Sequence, residues 1–238
     1  MIITIQDKKA ATLAVKWDKC PQDVFHFALY ETMLEGDKDL GMFPTPRGCC
    51  NDSAPDVQLR RSRGGTYSGS VTQKGITTDI SAWADGETLM VAYTVTAGRD
   101  AKNLQVHPCL MTTYAPHFIG KRKGSSDYRE MGKRVMLDNK GRKSLASFGS
   151  DKHQAVVGDG ARVTKWAWWK NASRRFRKGV TELWARDSKL HLVWDGDKTT
   201  WISSNMGDNR SCWHRFAWIG SLKKGESRTV SMKMWIVG

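Results

Sequence analysis

Residues 20–36, CPQDVFHFALYETMLEG, are the stretch on which the fold turns. At a helical repeat, Val24, Phe27, Ala28, Tyr30 and Leu34 make one apolar face, with Gly36 as its stop. As a strand, VFHFALY is a close rival. The spacing predicts a short helix, and the rest of the chain shows what surrounds it.

Outside this stretch, alternation with a period of two dominates. TYSGSVTQ, TTDISAW, TLMVAYTVTA, NLQVHPCLM, VTELWAR, KLHLVWDG, KTTWISS and RTVSMKMWIVG all read as strands, rich in Thr, Val, Trp and Tyr. Turn signals separate them: RGG at 63–65, ADGE at 84–87, AGRD at 97–100, DNKG at 138–141 and GDG at 158–160. This spacing predicts an all-β protein, an antiparallel β-sandwich of jelly-roll or supersandwich type with at most short helices. The 238 residues show no fixed-period repeat and no dividing linker, so a single domain over 1–238 is expected. KRKGSSDYREMGKR at 121–134 reads as a long surface loop.

Charge narrows the partner. The net charge is +14, yet residues 1–59 hold nine acids and six bases, leaving 32 bases and 15 acids for the remainder. A field of that sign draws anions, so an anionic polysaccharide is the expected partner and nucleic acid the rival. No stretch approaches the ~18 apolar residues of a membrane helix, so no membrane insertion is expected. Cys20, Cys49, Cys50, Cys109 and Cys212 form no C-x-x-C pair. Neither a P-loop nor a G-x-S-x-G elbow occurs, and no organic cofactor is expected.

Of eleven tryptophans, nine fall from Trp166 onward. In TKWAWWKNASRRFRKG, Trp166 and Trp168 would share one face of a strand beside Arg174 and Arg175. Indole faces stack on sugar rings and guanidinium groups hold carboxylates, so these residues are candidate substrate contacts, as are Arg60, Arg61 and Arg63 in LRRSRGG. The plainer readings are core tryptophans and a solvated charge run.

Two stretches carry candidate chemistry. In ISSNMGDNRSCWHRFAW (202–218), Asn205 would leave one strand and His214 open the next, so the two would flank one loop. In HPCLMTTYAPH (107–117), His107, Tyr114 and His117 would gather on one rim. Cleavage of an acidic polysaccharide by β-elimination needs a carboxylate neutraliser, a base and an acid. Asn205 suits the first, and His214, His107 and Tyr114 suit the others, with His117 as a substrate contact. Turn capping by Asn205 and a structural His214 are the alternatives. A metal held by His107, Cys109 and His117 has no stereotyped spacing behind it, so none is expected.

The order NLQVHPCLM, KLHLVWDGDKTTWISSN, Cys212-x-His214 and SLKKGESRTVSMKMWIV resembles bacterial β-sandwich proteins related to mutarotase-like and polysaccharide-lyase-like sugar domains, over roughly residues 90–238. The resemblance implies a carbohydrate-related sandwich, secreted or periplasmic. Three functions stay open: a polysaccharide lyase, a non-catalytic polyanion-binding module, and a mutarotase-like sugar epimerase. The last requires a His facing a carboxylate, and the sequence places few acids near His107 or His214.

Overall fold

The computed structural model describes residues 1–7, 11–36, 38–42, 57–121, 128–130, 133–138, 141–144, 153–158, 175–176, 180–185, 189–196, 199–205 and 212–238. Their regular structure is β throughout, and the 20–36 stretch is a strand. The first sheet runs in the order β1 (Ile2–Asp7), β2 (Thr12–Lys16), β3 (Val24–Glu35), β9 (Ala101–Tyr114), β19 (Cys212–Leu222), β18 (Thr199–Asn205), β14 (His153–Gly158), β15 (Arg175–Phe176), with β4 (Lys38–Met42) also on β3. The second runs β13 (Gly141–Ser144), β12 (Lys133–Asp138), β16 (Thr181–Trp184), β17 (His191–Gly196), β20 (Ser227–Val237), β8 (Thr88–Ala97), β7 (Ile76–Asp85), β6 (Tyr67–Gln73), β5 (Arg60–Arg61). A small hairpin joins β10 (Ile119–Lys121) to β11 (Tyr128–Glu130). The segment read as a loop at 121–134 therefore contains β11 and the start of β12. Pairing is antiparallel except between β14 and β15.

The expected alternation is clearest in β8, where Leu89, Val91, Tyr93, Val95 and Ala97 are buried and the intervening residues half-buried. The inward residues of both sheets meet in one core, including Phe27 of β3 packed edge-on against Trp194 of β17 at 5.5 Å. Trp17 is likewise core: it is 1 % exposed, with its indole N–H donating to the Glu87 carbonyl. The β6–β7 connection is a two-residue turn, Lys74-Gly75, both at positive φ, the geometry that matches strand twist.

β3 departs from simple alternation. Ala28 stands opposite Cys109 and Thr32 opposite His107, so four steps on β3 span two on β9. This bulge leaves backbone groups that must be satisfied elsewhere. The Leu29 N–H donates to the Ala11 carbonyl at 3.0 Å, and the Leu29 carbonyl accepts from the buried Tyr93 hydroxyl at 2.6 Å. Tyr30 enters the core and donates to Gln73. The two extra residues leave the parity of β3 the same on either side, with Phe27 and Met33 both in the core, but within the bulge alternation fails and Glu31 reaches His107 of β9 on the sheet face turned away from the sandwich interior.

Candidate functional site

That outer face of the first sheet is where the candidate residues gather. Along β9, Leu104, Val106 and Leu110 belong to the sandwich core, whereas Cys109 and Met111 form a separate cluster with Ala28. His107 shares the parity of Cys109 and is stacked on Phe216 of β19, centroids 4.0 Å apart. Its Nε2 lies 3.4 Å from the Glu31 carboxylate, and both side chains are 1 % exposed. A buried carboxylate is costly unless charge or hydrogen bonds compensate it, and an imidazole in direct reach supplies both when protonated. A His–carboxylate pair is thus present, although few acids stand near His107 along the chain. Its acid comes from a strand 76 residues earlier, in the stretch whose spacing predicts a helix.

β19 continues this face. Its Ala217, Ile219 and Leu222 are core residues. Arg215 also points inward, crossing to the second sheet, where its Nη2 donates to the Trp194 carbonyl at 2.7 Å and lies 3.4 Å from the Thr181 hydroxyl. Complete burial pushes its guanidinium down to about 9. By alternation Cys212, His214 and Phe216 occupy register positions of the outer face, with His214 opposite both Cys109 and Ser203. Asn205 stands opposite Cys212 and His153, so Asn205 and His214 do flank one connection on adjacent strands.

A second His–carboxylate pair sits at the rim where β3 begins and β9 ends. Asp23, fully buried, accepts from the His117 backbone N–H at 2.9 Å and meets His117 Nδ1 at 2.7 Å. Tyr114 projects beside it, tilted against His26 with centroids 4.6 Å apart. His26 is largely buried, and desolvation lowers its pKa. Nearby Cys20 is a free, buried thiol pushed up to about 12, first by burial and then by Asp23, so it stays protonated and is no nucleophile.

The other candidates fall elsewhere. Arg60, Arg61 and Arg63 are exposed at the far edge of the second sheet, on β5 and the turn after it, and do not join the face that carries His107. The strand order puts these three candidate substrate contacts on the other layer. Arg175 lies on β15 at the margin of the first sheet. Trp166, Trp168 and Arg174 lie outside the described residues. Among the described residues, no three His, Cys, Asp or Glu are grouped to hold a metal, and no helix is long and apolar enough to cross a membrane.

No protein-family model matches the sequence. No curated relative matches it either. Solved structures do match the fold. A galactose mutarotase-like protein from Lactobacillus casei is 11 % identical over 100 % of both chains, with a TM-score of 0.52. An aldose 1-epimerase candidate from Escherichia coli is 8 % identical over 99 % of both chains, TM-score 0.51. A Synechocystis protein is 8 % identical over 99 % of both chains, TM-score 0.50. At such identities the likeness is one of architecture, and this chain has the β-sandwich fold of mutarotase-like proteins.

Proposed function

We propose that this protein is a carbohydrate-active enzyme of the aldose-epimerase kind, acting on the anomeric centre of a sugar. The observation that supports this most is the Glu31–His107 pair, set 3.4 Å apart on the outer face of the first sheet. Anomer exchange needs a base to take the proton from the C1 hydroxyl and an acid to protonate the ring oxygen. The ring then opens, the C1–C2 bond rotates, and the same two groups reverse their roles on closure. An imidazole and a carboxylate supply both roles without a cofactor. Their burial suits the chemistry, since charge interactions strengthen where water is excluded. His214 stands one strand over, opposite Cys109 in the register.

The polysaccharide-lyase reading loses support by comparison. It needs a cationic clamp for the uronate, and Arg60, Arg61 and Arg63 lie on the other sheet. An anionic sugar or polymer attracted by the +14 net charge remains part of the proposal as the class of partner, and export as its setting.

The test is exchange NMR or polarimetry on freshly dissolved aldoses. Acceleration of anomer interconversion over the spontaneous rate is expected, with Glu31→Gln and His107→Asn each lowering it about 10²–10⁴-fold while thermal melts show a folded protein. No acceleration on any aldose removes the proposal. Release of unsaturated products from uronate polymers would restore the lyase in its place.

A further inference from the structure

We propose that the rim formed by Asp23, His117 and Tyr114 is a separate binding subsite for a pyranose ring that is not the one undergoing chemistry. This rests on the carbohydrate part of the proposed function and not on ring opening.

Asp23 is fully buried, and both of its carboxylate oxygens are engaged by one residue: Oδ1 accepts the His117 backbone N–H at 2.9 Å, and Oδ2 faces Nδ1 at 2.7 Å. A carboxylate accepts and cannot donate, so Nδ1 carries a proton, and in the neutral ring Nε2 is left as an acceptor. The His117 side chain is 47 % exposed, which puts that acceptor at the surface in a fixed orientation. Capping the turn at 115–118 explains the bond to the backbone N–H, but it does not explain why the imidazole is held as well.

Tyr114 supplies the second half. It is 59 % exposed and braced by His26, its ring 4.6 Å from the imidazole at 40°. Burial lowers the pKa of His26 and so disfavours a charge on the brace. Backbone pairing keeps the two halves together, since Tyr114 stands opposite Val24, next to Asp23 in the chain. A held aromatic ring stacks on the C–H face of a pyranose, and an oriented acceptor beside it takes a hydroxyl proton. The subsite is distinct from the Glu31–His107 pair. Met111, which faces His26, is four residues along β9 from His107, about 13 Å at strand rise, or more than two sugar residues.

The experiment uses the whole protein and a methyl β-D-pyranoside, which cannot open its ring, so binding is read apart from anomer exchange. Saturable shifts of the Tyr114 ring and His117 Hε1 resonances are expected, with a Kd of about 1 mM. Tyr114→Ala, at an exposed position, should weaken binding at least about tenfold. Asp23→Asn is the sharper variant. Its amide would donate to Nδ1 and move the imidazole proton to Nε2, a tautomer change that the nitrogen shifts of the ring report. Binding should fall severalfold while the melt stays close to that of the wild type. Arg60→Ser, on the other sheet, should leave these shifts unchanged. Absence of saturable shifts, or shifts that persist in both Tyr114→Ala and Asp23→Asn, would overturn the proposal whether or not the protein exchanges anomers.

Discussion

His26 couples acidity to stability through a single side chain. Burial lowers its pKa from an ordinary 6.5, so the native state takes up the proton less readily than the unfolded chain. The unfolded state then binds more protons as pH falls through 6.5, and stability that is intact above this value is lost on acidification. His26→Phe keeps a ring against Tyr114 and removes the titration. Melting temperatures from about pH 5 to 7.5 should show a shallower acid decline for the variant than for the wild type. Equal slopes would mean that His26 is charged in the native state. His26 was visible in the sequence only as a polar residue inside an apolar run, because nothing there says that Tyr114, 88 positions away, packs upon it.

β3 shows why its stretch resembles a helix. Phe25, Phe27 and Leu29 enter the core, and then, after the bulge, Tyr30 and Met33 do so. The two inserted residues interrupt the period of two at Leu29–Tyr30 and leave apolar residues at spacings of three and four, the helical signature. The strand is also buried along nearly its whole length on both faces, which erases the polar half of the alternation. The bulge itself depends on a distant partner, the Tyr93 hydroxyl on the Leu29 carbonyl. Tyr93→Phe strands that buried acceptor, so a stability loss of about 1–3 kcal/mol is expected in denaturant titration. Because the bulge aims Glu31 at His107, the same variant should also slow anomer exchange per folded molecule. An unchanged rate would show that the bulge holds without this bond.

At the scale of the molecule, one basic cluster and the candidate face part company. Arg60 and Arg61 guard a sheet edge, where cations discourage a neighbouring strand from pairing, and Arg61 also lies 5.6 Å over the Tyr67 ring. Such a cluster attracts polyanions without selecting them. Binding to heparin or single-stranded DNA should fall with salt, and replacing Arg60, Arg61 and Arg63 by Ser should reduce the logarithmic salt slope by about two to three. Anomer exchange on neutral sugars should be untouched by the same triple change. A loss of exchange would tie this edge to the site after all.

The sequence by itself determined the class of the fold, because a period of two with β-branched and aromatic residues is a local property that survives wherever one face is buried and the other wet, as in β8 and β20. It also determined that Asn205 and His214 would flank one connection, since the strands on either side of 206–211 are each legible alone. The candidate site was legible only in part. His107, His214, Tyr114 and His117 were chosen by residue type, but Glu31 and Asp23, the carboxylates that give two of them a partner, were not. Both acids lie at the ends of contacts spanning 76 and 94 positions. Only the order of strands, which sets β3 beside β9 and β5 on the other layer, brings carboxylates to imidazoles and takes the arginines away. That order follows from burying two sheets against each other, a global condition that no window of sequence contains.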